Sequence, residues 1–315
     1  MLVKPLLRRA SPQGAGARLS VLIFHRVLPQ VDPLFPDEVD TRRFNQICEW
    51  VKQWFNVLPL DAAVAHLRGG TLPERAACIT FDDGYADNFH VALPILKAHG
   101  LSSTFFIATG FLDGGRMWND TIIESVRACK LPQLDLQAMG LGVHKVASAT
   151  EKQAAISALI GQIKYRSVED RVSTTRAIAA QARVQPTDNL MMTSNEVKQM
   201  RQAGMQIGAH TVNHPILARL SGEEARREIL ESRETLECLL GERVGLFAYP
   251  NGKPGEDYTP DTVALVRELG FDAAVSTRWG VSGADADLFQ LRRFTPWDKT
   301  RVRFGLRMAT NLFRG

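Results

Sequence analysis

The sequence lacks most of the features that mark a specialised class of protein. It has only four cysteines in 315 residues, and no two of them form a Cys-x-x-Cys pair. This argues against a zinc knuckle and against a disulfide framework, and indicates reduced, mostly buried thiols. No run approaches the ~20 apolar residues that span a bilayer. The N-terminus also lacks the continuous apolar segment of a signal peptide, so we expect a cytoplasmic protein.

The charge of the chain is mild. The formal net charge is +4, and no Gly-Lys-rich loop, aromatic RNA platform or basic zipper occurs. We therefore expect no nucleic-acid partner. No Gly-x-Gly-x-x-Gly sequence opens a helix, which argues against a dinucleotide-binding sheet. A hydrophobic content of 45% is typical of a globular chain, and the length suits one large α/β domain.

Strand patterns and helix patterns alternate through most of the chain. About eight strand candidates are present, which favours an α/β fold with a closed or nearly closed parallel (β/α) barrel of about seven to eight strands. The pattern becomes helical in one long stretch, which we interpret as an insertion. The predicted parts are a flexible basic N-terminus (1–18), the barrel (19–298) with a helical insertion (about 113–190), and a basic amphipathic C-terminal segment (299–315).

Two adjacent carboxylates stand at the end of one predicted strand, in Asp82-Asp83-Gly84. Neighbouring strand residues point to opposite faces, so the pair can serve one pocket only if the chain turns, which Gly84 permits. His210 and His214 follow another short strand. Asp83 with two imidazoles is a ligand set for a divalent metal such as zinc. The alternatives are an exposed acidic turn and two surface histidines.

Three protein ligands leave metal positions open for water and substrate, as catalytic sites require. We then expect Asp82 to act as the general base. His25 directly follows the buried strand Ser20–Phe24. It is our candidate for the acid that protonates a leaving nitrogen, and a histidine satisfied at the edge of the core is the alternative.

Two further residues complete the predicted site. Arg293 could pair with Asp82 and keep it ionised, or it could be a surface cation in the basic run Arg292-Arg293. A backbone N–H at Tyr249 could hold a developing oxyanion. All these candidates lie at or near predicted C-terminal strand ends, where barrel enzymes carry their chemistry.

Three motifs resemble those of a known family, the polysaccharide deacetylases of carbohydrate esterase family 4. The stretch Thr80–Gly84 resembles the first motif of that family. His210–His214 matches its His-(Ser/Thr)-x-x-His motif, and Phe247–Gly252 resembles the variant Phe-x-Tyr-Pro-x-Gly of its third motif. The resemblance covers about residues 20–295, interrupted by the insertion.

The resemblance implies a distorted (β/α) barrel, a divalent metal that is usually zinc, and removal of N-acetyl or sometimes O-acetyl groups from sugars. By motif, Asp82 corresponds to the base. The residues that correspond to the metal ligands are Asp83, His210 and His214.

The sequence departs from the family pattern at two places. The third motif lacks the usual arginine, which leaves Arg293 as the partner of the base. No histidine follows His214, so the usual late acid is missing. The pair Phe24-His25 is similar to an early motif of exopolysaccharide deacetylases, and this similarity assigns the acid role to His25.

We therefore expect a metal-dependent hydrolase that deacetylates an N-acetylated glycan or glycolipid sugar in exopolysaccharide or surface-glycan synthesis. One alternative is a hydrolase of small non-sugar amides on the same scaffold. Another is an inactive carbohydrate-binding protein.

Both ends of the chain suggest peripheral contact with the inner membrane surface, where a cytoplasmic enzyme would meet a lipid-linked precursor. Basic amphipathic segments can lie on anionic lipid. The alternative is a terminal helix packed on the barrel with its basic face in solvent. The apolar residues concerned are Leu2, Val3, Leu6, Leu7, Phe304, Leu306, Met308, Leu312 and Phe313, and the basic ones are Lys4, Arg8, Arg9, Lys299, Arg301, Arg303, Arg307 and Arg314.

Overall fold

The structure, a computed structural model, describes residues 3–314 and contains ten strands and eleven α-helices in that range. The strands are β1 (Ser20–Phe24), β2 (Asn56–Val57), β3 (Ala76–Phe81), β4 (Thr104–Ile107), β5 (Gln133–Asp135), β6 (Val143–Lys145), β7 (Gln206–Ala209), β8 (Leu246–Ala248), β9 (Ala273–Val275) and β10 (Arg293–Phe294). The helices are α1 (Val3–Ala10), α2 (Thr41–Trp54), α3 (Leu60–Gly69), α4 (Leu93–His99), α5 (Trp118–Ala128), α6 (Ala149–Ile163), α7 (Val168–Gln181), α8 (Ser194–Gln202), α9 (Gly222–Leu240), α10 (Pro260–Glu268) and α11 (Arg301–Arg314).

One parallel sheet of eight strands forms a nearly closed barrel. Its strand order is β10-β1-β3-β4-β7-β8-β9, and β2 also pairs with β3. The two ends of this order meet because β9 pairs with the residues just before β10. The N–H of Ser276 donates to the carbonyl of Leu291 at 2.8 Å, and Val275 forms a parallel bridge with Leu291. The predicted distorted barrel of seven to eight strands is confirmed.

An aromatic cluster packs the sheet against α2. The rings of Phe81 and Phe105 stack with centroids 4.8 Å apart, and Phe24 stacks on Phe81 at 5.3 Å. Phe44 of α2 meets both Phe24 and Phe81 edge-on. Phe24 and Phe81 end β1 and β3. Their burial therefore fixes the positions from which the next residues, on the site side, emerge.

The insertion lies between β4 and β7 and has its own apolar core. Helices α5, α6 and α7 bury Ile122, Leu159 and Ile178 among others. The predicted helical character is thus present. The antiparallel hairpin β5–β6 was not predicted, because strands of three residues are too short for an alternating pattern to be recognised.

The chain ends differ from the sequence prediction. The N-terminal segment, expected to be flexible, forms α1, which packs on α11 and buries Leu7 completely. Tertiary packing of one apolar face stabilises a helix too short to persist alone. Phe304 and Met308 of α11 are also buried, as the alternative of a packed terminal helix requires. Residues 1, 2 and 315 and the side chain of Arg314 lie outside the described part, so the prediction for Leu2 is not addressed.

No helix between residues 3 and 314 has the length and apolar character needed to cross a membrane.

The aromatic cluster gives a direct test of the core. We expect Phe44→Ala to lower the free energy of unfolding by about 3–5 kcal/mol, because it removes a fully buried ring from two aromatic contacts and leaves a cavity. The measurement is urea unfolding followed by circular dichroism. Val31→Ala is the control, since Val31 is 55% exposed and should change stability by less than about 0.5 kcal/mol. Equal stability of the two variants would contradict this assignment of the core.

Candidate active site

The C-terminal ends of separate strands bring the candidate residues to one end of the barrel. His25 follows β1, Asp82 and Asp83 follow β3, and His210 follows β7. Parallel strands place their C-terminal ends on the same side of a sheet, so residues far apart in sequence become neighbours. Arg293 opens the short strand β10, which pairs with β1. Its long side chain extends toward the same end.

Asp83, His210 and His214 form a compact cluster. The Nε2 atoms of both histidines lie 3.4 Å from Oδ1 of Asp83. The three candidate ligand atoms are all within 4.8 Å of one another. Within the described residues, this is the one group of three or more His, Cys, Asp or Glu side chains with such geometry. His210 and Asp83 are buried, so the cluster lies at the bottom of a cavity rather than on the surface.

The hydrogen bonds at the cluster fit a metal ion. Nδ1 of His210 lies 2.7 Å from the carbonyl oxygen of Ala248. A carbonyl only accepts, so Nδ1 carries the proton and Nε2 of a neutral ring presents a lone pair to Asp83. Oδ1 of Asp83 is buried and accepts no hydrogen bond from the described side chains or backbone. Lone pairs that converge on one point without a proton donor are the arrangement a cation completes.

The pKa values show how strongly the carboxylates act on the imidazoles. Burial alone raises the pKa of Asp83, but His210 and His214 offset this, and its pKa falls below the usual range. Burial lowers the pKa of His214 to about 4, so this ring is neutral at pH 7 and can ligate. Burial also lowers the pKa of His210, yet Asp83 and Asp82 raise it above its ordinary value. The pocket therefore attracts positive charge.

The backbone around the cluster is strained. Asp83, Thr211 and His214 have φ angles of 76°, 65° and 49°, in the left-handed region that non-glycine residues rarely enter. The turn expected at Gly84 thus begins one residue earlier, at Asp83. Such residues cost about 1–3 kcal/mol each and concentrate at functional sites. The residues just before Pro215 are not helical, since a proline disfavours helical backbone at the residue that precedes it.

A buried carboxylate holds the strained loop, and the sequence did not reveal it. Glu228 of α9 accepts hydrogen bonds from the N–H groups of Val212 and Asn213 at 2.9 and 2.8 Å. It also accepts one from Nδ2 of Asn213 at 2.8 Å. Glu228 stands in a helix rich in charged residues, so its pattern does not distinguish it from the exposed acids around it.

Asp82 forms a bidentate ion pair with Arg293. Both N–H···O distances are 2.7 Å, and both side chains are almost completely buried. Arg293 also donates from Nε to the carbonyl of Ser276 and from Nη1 to Thr80. Burial raises the pKa of Asp82, but the Arg293 guanidinium and the His210 imidazole more than compensate, and the net direction is down. Asp82 is therefore ionised, and Arg293 is not a surface cation.

His25 lies in the cleft with an exposed ring. It lines the cavity that contains Asp82, Asp83 and both histidines of the cluster. Its carbonyl accepts a hydrogen bond from Asn88, but within the described residues no side chain bonds to the ring. The ring is therefore not packed at the edge of the core with its hydrogen bonds satisfied, which was the alternative for His25. Its acid role stays a prediction.

The prediction for Tyr249 needs correction. Its backbone N–H already donates to the carbonyl of Val275 at 3.3 Å, because β8 pairs with β9 up to this point. An oxyanion could take this N–H only if that bond opened. The ring stacks on Tyr258 with centroids 3.9 Å apart, and its hydroxyl donates to the carbonyl of Phe289. In this structure Tyr249 is a core residue, and its N–H is not free to hold an oxyanion.

The site opens into a cleft with walls from the barrel and the insertion. One cavity of about 280 Å³ contains the cluster, and another of about 370 Å³ adjoins it. His25, Asp83 and Asn119 line both. The insertion supplies Met117, Trp118, Ile160, Lys164 and Arg171 to the first cavity. The indole of Trp118 is the one aromatic ring among these five side chains. It lies half-buried at this wall, with the Arg171 guanidinium 5.3 Å from its ring.

A comparison with protein families finds one match in this chain. The model described as polysaccharide deacetylase matches residues 69–274, which is more than half of the chain. This range includes Asp82, Asp83, His210 and His214. It excludes His25 and Arg293, so the positions of those two rest on the structure alone.

Known proteins similar to this chain have low sequence identity and the same fold. The Bacillus subtilis protein YxkH, named after the polysaccharide deacetylases, is 19% identical over 279 residues, which cover 88% of this chain and 71% of that one. The deacetylase PplD of Streptococcus pyogenes, solved with acetate, has a TM-score of 0.63 at 20% identity and covers 93% and 98% of the two chains. IcaB from Ammonifex degensii has a TM-score of 0.60 at 20% identity, with coverages of 96% and 98%.

The buried ion pair makes a stability prediction. We expect Arg293→Met to lower the free energy of unfolding by about 3–5 kcal/mol, because it leaves Asp82 charged, buried and without its partner. The double variant Asp82→Asn/Arg293→Met should recover part of this loss, since the carboxylate charge is then also removed. Urea unfolding of the three proteins measures both. A loss below about 1 kcal/mol in the single variant would show that the pair does not contribute as described.

Proposed function

Because this chain belongs to the polysaccharide deacetylase family, whose reaction is hydrolysis of the amide bonds of acetylated polysaccharides, we propose that it is a metal-dependent deacetylase acting on an N-acetylated glycan or lipid-linked sugar. One observation carries the proposal. Oδ1 of Asp83, which accepts no hydrogen bond from the described residues, faces Nε2 of His210 and of His214 beside the ion-paired Asp82. This set combines a metal site with an ionised base in one cavity.

The residues present fit a divalent metal. Asp83, His210 and His214 would hold it, and a two-histidine, one-carboxylate set favours zinc among the common ions. Such an ion polarises a carbonyl and acidifies a water. Ala248 fixes the tautomer that gives His210 a free Nε2. Glu228 holds the loop on which His214 stands.

Asp82 can take the proton from the attacking water. Arg293 uses one acceptor position on each carboxylate oxygen, and each oxygen retains a second. The pair fixes the carboxylate plane and keeps it ionised, which a base requires. His25 shares the cavity, and its ring has no competing partner among the described residues. It can donate a proton to the departing nitrogen and be reprotonated from solvent.

The shape of the cleft supports a sugar substrate over a small amide. Two adjoining cavities extend the site beyond the space that one acetamide needs. Exposed rings of Trp279 and Trp297, with centroids 5.1 Å apart, follow β9 and β10 on the same side of the barrel. Exposed aromatic rings can stack on sugars. The Phe24-His25 pair leads us to include exopolysaccharide or surface-glycan synthesis in the proposal.

The C-terminal helix α11 supports a contact with lipid. Helix α11 has a second, exposed set of apolar side chains, Val302, Leu306 and Phe313. Arg303 and Arg307 are interspersed with these residues along α11, and the guanidinium of Arg307 packs on the ring of Trp297. Exposed apolar residues interspersed with cations suit an anionic membrane surface. We propose that the protein acts in the cytoplasm, peripheral to the inner membrane, where it would meet lipid-linked sugars.

Acetate release tests the proposed reaction. The protein is stripped of metal, supplied with zinc or cobalt, and incubated with N-acetylglucosamine oligomers and O-acetylated glycans. We expect metal-dependent release of acetate from N-acetylated substrates. Asp82→Asn and His25→Ala should each reduce kcat by about 10²–10⁴, because each removes a proton-transfer group.

The control for these variants is His90→Ala, a solvent-exposed histidine outside the cleft. Zinc stoichiometry is measured in parallel, and Asp83→Ala and His214→Ala should lose the bound ion. Acetate release that is equal with and without metal would overturn the proposed metal dependence. A protein that binds zinc but releases no acetate from any glycan would indicate the small-amide alternative.

Vesicle binding tests the lipid contact. We expect the protein to sediment with vesicles containing anionic phosphatidylglycerol and to dissociate as salt rises. Arg303→Gln should weaken binding about fivefold, because a cation near an anionic surface contributes about 1 kcal/mol. Leu306→Ser should also weaken binding, because it removes an exposed apolar side chain of α11. Val172→Ser, which alters an exposed apolar residue of the insertion, is its control and should not change binding. Equal sedimentation with neutral and anionic vesicles, or none with either, would contradict the contact.

A further inference from the structure

Arg171 is a buried cation beside the Asp83–His210–His214 cluster, and its guanidinium has no hydrogen-bond partner in the described part of the chain. It is only 3% exposed, and its Nε is buried without an acceptor. Within residues 3–314, no side chain or carbonyl accepts a hydrogen bond from its guanidinium, and no carboxylate forms an ion pair with it. A buried guanidinium is costly unless it is paired. The fold therefore keeps a strong hydrogen-bond donor at a buried position, although an unpaired guanidinium there does not by itself stabilise the protein.

The nearest carboxylates do not serve Arg171. Glu228 acts on it through space, but both oxygens of Glu228 already accept hydrogen bonds from Val212 and Asn213. Glu169, the other acid that acts on it, precedes it by two positions on α7, and residues so spaced on a helix do not face each other. Trp118 holds the guanidinium instead, through its ring face. This contact uses none of the hydrogen-bond donors of the guanidinium.

A second cation lines the same cavity. Nζ of Lys164, at the end of α6, has one carboxylate neighbour, Oδ1 of Asp257, at 3.9 Å. This distance is too long for a hydrogen bond, and that oxygen has no partner in the described part of the chain. Arg171 and Lys164 both line the cavity with Asp83 and His214. Both side chains belong to the insertion, whereas Asp83, His210 and His214 belong to the barrel.

The charges of the cavity do not cancel. Arg293 neutralises Asp82. A divalent ion held by Asp83 would more than neutralise that carboxylate. Arg171 then remains without an ion-paired carboxylate among the described residues, and Lys164 has only the buried Asp257 at 3.9 Å, beside a cavity of about 280 Å³. A neutral acetylated sugar would leave the guanidinium of Arg171 desolvated without a hydrogen-bond acceptor. A sugar that carries a negative group would supply one.

We propose that Arg171 and Lys164 form a recognition site for an anionic substituent, a phosphate or a carboxylate, on the acetylated sugar whose amide lies at the Asp83–His210–His214 cluster. This inference rests on the proposed deacetylase function and specifies its substrate class. Phosphate and carboxylate each present two oxygens that a guanidinium can bind with two parallel hydrogen bonds. The insertion then selects charged sugars, while the barrel performs the hydrolysis.

Calorimetric binding tests the proposal without turnover. The zinc-loaded His25→Ala protein, which keeps the Asp82–Arg293 ion pair and should turn over slowly, is titrated with N-acetylglucosamine, with N-acetylglucosamine 1-phosphate and with N-acetylmuramic acid, which carries a carboxylate. We expect tighter binding of at least one charged sugar than of the neutral one. Arg171→Met should reduce the ratio of charged to neutral affinity at least about tenfold, because hydrogen bonds to charged groups are worth about 1.5–3 kcal/mol. Arg171→Lys should be intermediate, since it keeps the charge without the fork.

Two further variants keep the test decisive. Lys164→Gln should reduce the same ratio, and it alters a side chain that is partly exposed, so folding is preserved if Arg171→Met proves unstable. Arg176→Met is the matched control on the same helix. Arg176 lines the neighbouring cavity of about 320 Å³ and not the one with the cluster, so the ratio should not change. The two charged sugars show whether phosphate or carboxylate is the group bound.

The outcomes separate this inference from the proposed function. If the wild-type protein releases acetate but the affinity ratio is near one, or is unchanged in the Arg171 and Lys164 variants, the anion site is wrong and the deacetylase stands. If the ratio falls in those variants but no substrate releases acetate, the anion site stands and the proposed reaction is wrong. Failure of every sugar to bind overturns the anion site as well.

Discussion

The buried ion pair between Asp82 and Arg293 connects the chemistry of the site to the closure of the barrel. Asp82 lies in the first motif, directly after β3, and Arg293 opens β10, the strand that pairs with β1. A buried carboxylate is tolerated only with a well-placed partner. The strand order must therefore bring residues 211 positions apart into contact before either charge is stable. Asp82 is ionised because the sheet places β10 beside β1, where Arg293 reaches it.

Much of this arrangement could be predicted from the sequence, because it depends on local patterns. Polar residues after buried strands indicated His25, Asp83 and His210, and strand-helix alternation indicated the barrel. The pairing of Arg293 with Asp82 was foreseen once the third motif offered no other arginine. The hydrogen bond from the N–H of Tyr249 to Val275 was not predicted, because it depends on strand pairing and not on the type of residue at position 249.

The insertion shows the limit of such predictions. Its helices were indicated by apolar periodicity, but which of its side chains face the barrel depends on how two separate cores pack. Lys164 and Arg171 look like ordinary solvated cations of amphipathic helices in the sequence. Only the tertiary structure places them beside the cluster. Glu228 was missed for the same reason, since its role depends on a loop that follows another strand.

The hydrogen bond from His210 to the carbonyl of Ala248 has a consequence for the evolution of the site. In many metal sites a carboxylate side chain orients the ligating imidazole, and a single substitution can remove it. Here the acceptor belongs to the main chain at the end of β8. Substitution of Ala248 exchanges a methyl group but keeps the carbonyl. The tautomer of His210 therefore depends on the register of the sheet. Substitutions at position 248 preserve it as long as the strand forms.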